Sequence, residues 1–89
     1  MSFLLDFSDQ ARLDVEFHKK SGNKILVRKL LALFNELIDH PFKGTGKPEA
    51  LKHHLTNIWS RRINLEHRLV YRVDEEVVTV LSVKGHYLK

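Results

Sequence analysis

Ile58-Trp59-Ser60-Arg61-Arg62-Ile63, His67-Arg68-Leu69-Val70-Tyr71-Arg72-Val73 and Val77-Val78-Thr79-Val80-Leu81-Ser82-Val83 follow one another with only Asn64-Leu65-Glu66 and Asp74-Glu75-Glu76 between them. From Ile58 onward the apolar period is two, and the intervening turns are short enough for antiparallel hairpins. The pattern predicts a three-stranded meander. In its middle strand Leu69, Tyr71 and Val73 share one face and Arg68, Val70 and Arg72 the other, because successive side chains point to opposite sides. One face is expected to pack on helices and the other to be cationic.

Upstream, the period changes to that of a helix. Val27, Leu30, Leu31, Phe34, Leu37 and Ile38 recur at helical spacing between Asn23, a good N-cap, and Pro41, which forbids continuation. Ile25, Leu26, Ala32 and Leu33 add apolar surface outside that stripe, more than one face of one small sheet requires. Before it, Ala11, Leu13, Val15 and Phe17 alternate strictly with polar residues, the period of a strand. The Ser8 cap, the Ala11/Val15 spacing and the Ser21-Gly22-Asn23 breaker argue instead for a helix, and a helix is expected. Phe3-Leu4-Leu5-Asp6-Phe7 reads as a short strand joining the same sheet. The fold class is therefore α+β: a small, mostly antiparallel sheet with two N-terminal helices packed on one face and the opposite face open.

The chain of 89 residues is expected to form one domain, 1–89, with a modest core. It has no cysteine, so neither a disulfide framework nor a thiolate metal site is available. The start, Met1-Ser2-Phe3-Leu4-Leu5-Asp6, has neither a basic lead nor a long apolar run, and no segment is long enough to span a bilayer. A soluble, cytoplasmic protein is expected. The net charge of +4 is unevenly placed: residues 1–40 carry six Lys/Arg against six Asp/Glu, and residues 41–89 nine against five. Such asymmetry points to a nucleic acid or another acidic partner.

The excess is densest from Pro41 to Arg72, where Lys43, Lys47, Lys52, Arg61, Arg62, Arg68 and Arg72 stand against Glu49 and Glu66. The Gly44-Thr45-Gly46 loop lacks the spacing of a phosphate-binding loop and follows a helix rather than a strand. Its expected role is to turn the backbone sharply and deliver Glu49 and Lys52 beside the sheet. The six histidines show no metal-ligand spacing: adjacent His53 and His54 point apart, and neither has an acid or histidine four residues on. No metal and no cofactor are expected. Trp59 is assigned to the core rather than to base stacking. For Glu49 two readings stay open: a salt bridge that quiets the basic face, or a base in acid–base chemistry.

The order P-F-x-G-x-G-x-P-E-x-L-K from Pro41, then W-S-R-R-I from Trp59, H-R-L-V-Y from His67 and a late His86-Tyr87 resembles the YoeB branch of the RelE-type toxins. The match is dense from Pro41 to Tyr71. The resemblance implies a type II toxin that cuts messenger RNA on the ribosome and is neutralised by a cognate acidic antitoxin, alone as a homodimer or in a toxin–antitoxin hetero-oligomer. It implies Glu49 as general base, Arg68 as transition-state cation, His86 as general acid and Tyr87 as an orienting or stacking group. Lys47, Lys52, Arg61, Arg62 and Arg72 would hold phosphates. A carboxylate among arginines is a weak base, so an exchange of roles between Glu49 and His86 stays open. The chain departs from the family pattern in His18, where an aromatic, commonly Trp, is usual, in Gly85, which would loosen the approach to His86, and in Leu88-Lys89 after the Tyr. A noncatalytic RNA- or DNA-binding module and an antitoxin-bound transcriptional regulator are the alternatives.

Overall fold

The computed structural model describes residues 2–51 and 57–85. Strand β1 (Leu4–Phe7) leads into helix α1 (Asp9–Ser21). Ser8 makes the junction: its extended backbone leaves the strand, and its Oγ accepts from the Ala11 N–H at 3.1 Å to cap the helix. The same hydroxyl donates to the Leu81 carbonyl at 2.9 Å, which fixes the start of α1 against the last strand. Gly22, at φ +80, ends the helix in the left-handed conformation that glycine adopts without strain.

The strand-like alternation of α1 comes from what the helix hides. Its buried residues are Ala11, Asp14 and His18, spaced three and four apart, and two of the three are polar. Leu13 and Phe17 point outward at 66% and 47% exposure. Helix α2 (Lys24–Asp39) is capped by Asn23, whose side chain accepts from the Leu26 N–H at 3.0 Å. Its buried stripe is Leu26, Leu30, Leu33, Phe34 and Leu37. The expected stripe was thus rotated by about one residue: Leu26 and Leu33 lie inside, whereas Leu31 is 52% exposed. A helix apolar on most of its circumference satisfies either set at 3.6-residue spacing, and packing decides between them.

The sheet has five strands in the order β1-β5-β4-β3-β2, with β2 (Glu49–Ala50), β3 (Ile58–Arg62), β4 (Arg68–Asp74) and β5 (Val77–Ser82). The expected meander is present as β3, β4 and β5, all antiparallel, while β1 pairs parallel to β5. Strand β2 was not expected; it is two residues long and lines the edge antiparallel to β3. Between Val70 and Tyr71 the β4–β5 register shifts, so that Val70 faces Ser82 and Tyr71 faces Val80. The inner face contributes Ile63, Leu69, Tyr71, Val73, Val78, Val80 and Val83 to a core completed by the α2 stripe. Each fully buried aliphatic side chain there stabilises the fold by about 1.5–3 kcal/mol relative to exposure. No helix among the described residues is long and apolar enough to cross a membrane.

Candidate active site on the outer sheet face

Glu49 reaches the sheet through a loop anchored on α2. After Pro41 the chain turns back toward β3 through Gly44 and Gly46, both at positive φ. A side chain at Gly44 would run into Glu36 Oε1, and a Cβ at Gly46 would lie 2.7 Å from the Arg62 carbonyl oxygen. The Arg62 N–H donates to the Gly46 carbonyl at 2.7 Å, so this close approach aligns the loop with β3. The loop is structural, as expected, and its glycines are required by contact as well as by conformation.

Arg61 and Glu36 hold the loop in place. Glu36 accepts from the Thr45 N–H at 2.9 Å, from the Thr45 hydroxyl at 2.6 Å and from Arg61 Nη1 at 2.7 Å. The Arg61 guanidinium also donates to the carbonyls of His40, Lys43 (3.0 Å) and Thr45 (3.3 Å), and its Nε to the Tyr71 hydroxyl at 3.2 Å. Tyr71 in turn donates to the Pro41 carbonyl at 2.6 Å. Burial pushes the Glu36 carboxyl up, but its Thr45 hydrogen bonds and the Arg61 guanidinium outweigh burial and hold it below its ordinary value of 4.5. Burial pushes the Tyr71 phenol above 10.0, with Arg61 pulling the other way.

Arg61 therefore corrects one expectation. It is fully buried, with its donors committed to the loop and to Glu36, and is not available to a phosphate. Strand alternation explains this: Trp59, Arg61 and Ile63 point to the core side of β3, and Trp59 packs there against Phe42 with ring centroids 5.1 Å apart.

On the outer face Glu49 stands opposite Ser60, Ser60 opposite Val70, and Arg62 opposite Arg68. Arg68 Nη1 lies 3.7 Å from Glu49 Oε1, with the side chains 19% and 57% exposed. That distance exceeds a hydrogen bond, and so open a pair is worth less than about 1 kcal/mol to the fold. Arg62 and Arg68, directly opposed like charges, cost stability rather than adding it. The Ser60 hydroxyl beneath them is buried and without a hydrogen-bond partner among the described residues.

Glu49, Arg62 and Arg68 are thus brought together. Lys47 is exposed on the approach to β2, at φ +52. Arg72 is four residues along β4 from Arg68, roughly 13 Å away at strand spacing, and pairs with Asp74 at 2.8 Å. Lys52, His86 and Tyr87 lie outside the described residues. The Arg68 N–H donates to the Gly85 carbonyl at 2.9 Å, which puts the residue before His86 beside the start of β4. Among the described residues no three His, Asp or Glu side chains are grouped to hold a metal ion. Sequence reasoning missed Glu36 and Asp14, polar residues whose partners include backbone N–H groups nine and 69 residues away in the chain.

Two helices on one face of a five-stranded, mostly antiparallel sheet make the fold of a known class of small toxins. The fold superposes on a Staphylococcus aureus YoeB dimer structure with a TM-score of 0.84 and 40% identity, covering 98% of this chain and all of that one. A YoeB-YefM complex from the same organism matches with a TM-score of 0.81 and 41% identity, again over 98% of this chain and all of its counterpart. The toxin YoeB of Mycobacterium bovis is 48% identical over 83 residues, which is 93% of this chain and 96% of the relative. Residues 7–87 match the family described as the YoeB-like toxin of bacterial type II toxin-antitoxin systems, and the chain belongs to that family.

Proposed function

We propose that this toxin is a ribosome-dependent messenger-RNA endoribonuclease that works by acid–base catalysis. The observation that carries the reading is the open Glu49–Arg68 pair, 3.7 Å apart, with Arg62 across the strand from Arg68. A carboxylate that faces solvent beside two cations is placed for a substrate that brings both a hydroxyl and a phosphate.

In the proposed step Glu49 takes the proton from the ribose 2′-OH as that oxygen attacks the adjacent phosphorus. Arg68 stabilises the charge that builds on the phosphorane, and the 5′-oxygen leaves with a proton from His86. Tyr87 orients the substrate, and Lys47, Lys52, Arg62 and Arg72 bind phosphates along the message. The upstream fragment ends in a 2′,3′-cyclic phosphate and the downstream fragment in a 5′-hydroxyl. The partner is a cognate antitoxin; the heteromeric Staphylococcus aureus relative supports this, and the dimeric one supports self-association.

The test is single-turnover cleavage of ribosome-bound message with mapping of the new ends. A 2′,3′-cyclic phosphate, a bell-shaped pH profile and loss of the chemical step in Glu49→Gln and His86→Ala are expected. A 3′-hydroxyl upstream, or salt-sensitive binding without cleavage, overturns the reading, the second outcome in favour of a noncatalytic binding module.

A further inference from the structure

Beyond Ser82 the strand ends, and the described residues that follow are held mainly by side chains, with one backbone bond to the start of β4. The Val83 N–H donates to Asp14 Oδ2 at 3.0 Å, and its carbonyl meets His18 Nε2 at 2.8 Å. Two residues on, the Gly85 N–H donates to His67 Nδ1 at 2.9 Å, while its carbonyl accepts from the Arg68 N–H. Both polar backbone groups of Gly85 are therefore occupied. The glycine that was expected to loosen the approach to His86 is instead bonded to His67 and to Arg68 at the start of β4.

The hydrogen-bond chemistry assigns the protons. A carbonyl only accepts, so His18 Nε2 carries a hydrogen; an amide only donates, so His67 Nδ1 is bare and its ring is neutral with the proton on Nε2. The two imidazoles meet edge to face with centroids 4.7 Å apart, so His18, buried in α1, backs the His67 ring.

We infer that His67 is a positioning residue for the C-terminal His86-Tyr87 pair, acting through the bond from the Gly85 amide to its Nδ1. His86 follows Gly85 by one peptide unit, about 3.8 Å from Cα to Cα. Holding Gly85 beside Arg68 sets where the chain carries the acid relative to the cation. The kinetic consequence rests on the catalytic reading proposed above; the anchor itself does not.

His67→Asn and His67→Gln separate acceptor position from ring loss. Both remove the aromatic contact with His18, but Asn Oδ1 sits near the place of Nδ1, whereas Gln Oε1 reaches toward that of Nε2. His67→Gln should slow single-turnover cleavage on the order of 100-fold, the cost of a misplacement near 1 Å, with affinity for the ribosome–message complex unchanged. His67→Asn should restore most of that rate. In wild-type protein, nuclear magnetic resonance should find His67 Nδ1 unprotonated and the Gly85 amide protected from exchange; the protection should persist in His67→Asn and vanish in His67→Gln. Equal rates and equal Gly85 protection in the two variants overturn the proposal, as does a protonated Nδ1 in the wild type. If the wild-type chain cleaves nothing, the catalytic reading fails, and the Gly85 measurements still decide the anchor.

Discussion

Arg61 and Arg62 are neighbours on β3, yet one is fully buried and the other points to solvent. The inner guanidinium is paired with Glu36 and ringed by carbonyl oxygens, so its charge is spent on fixing a loop. The outer one faces Arg68 across the sheet, where Glu49 Oε1 lies 3.7 Å from Arg68 Nη1, beyond hydrogen-bond reach. The same residue type thus fixes a loop on one side of the strand and presents an exposed charge on the other. What distinguishes them is satisfaction and exposure: the Arg61 guanidinium meets protein acceptors on all its nitrogens, whereas Arg62 is exposed across the strand from a like charge.

Removing Arg61 should break the comparison on its structural side. Arg61→Ala leaves the carbonyls of Lys43 and Thr45 and the Tyr71 hydroxyl without their donor. A loss of about 3 kcal/mol in urea unfolding is expected, at the low end for a broken buried pair because Glu36 can hydrate. Arg68→Ala is the counterpart: its stability should change by less than about 1 kcal/mol, while single-turnover cleavage falls by about 3 kcal/mol of barrier, over a hundredfold. If Arg61→Ala melts like wild type, its committed donors are not holding the loop.

Acid acts on the inner side through Glu36. The folded Glu36 pKa lies below its ordinary 4.5, so this group contributes stability above 4.5 that is lost as pH falls through the folded value. Glu36→Gln should lower stability near neutrality and flatten the dependence of melting temperature on pH below 4.5. An acid limb as steep in Glu36→Gln as in wild type would assign the effect to other carboxylates. On the alkaline side Tyr71 is raised above 10.0, so its contribution is present below 10.0 and lost as pH climbs through its folded value.

The smallest expected effect sharpens the outer side. Arg62→Ala relieves the opposition with Arg68 and should raise stability by a few tenths of a kcal/mol. It should also lower the slope of log affinity against log salt by about one for RNA, since it deletes one phosphate contact. Destabilisation by Arg62→Ala would show that the two arginines are not a cost to the fold.

The meander, the second helix and the caps at Ser8 and Asn23 were legible because they rest on local periodicity and local hydrogen bonds. Glu49 and Arg68 were legible only through the resemblance, since no spacing rule brings a loop acid to a strand cation. Arg61 was misassigned although its strand carried the signal: with Trp59 and Ile63 inside, the residue between them on the same face must also point inward. Two-residue β2 is too short to leave a period. Asp14 and His18 were missed because a buried stripe is sought among apolar residues, and these two are buried to serve Val83, which sequence separation hides.

Pairing of β1 with β5 places the first strand made beside the last. Leu4 must wait for Val77, and at about 5–20 residues per second of synthesis that delay is about 4–15 s. Until then β5, which lies between β1 and β4, is missing, and neither the bonds that hold Val83 nor those that hold Gly85 can form. The sheet consequently closes late: until β5 is made, β1 has no neighbour in the sheet, and the two helices have only part of their floor to pack against.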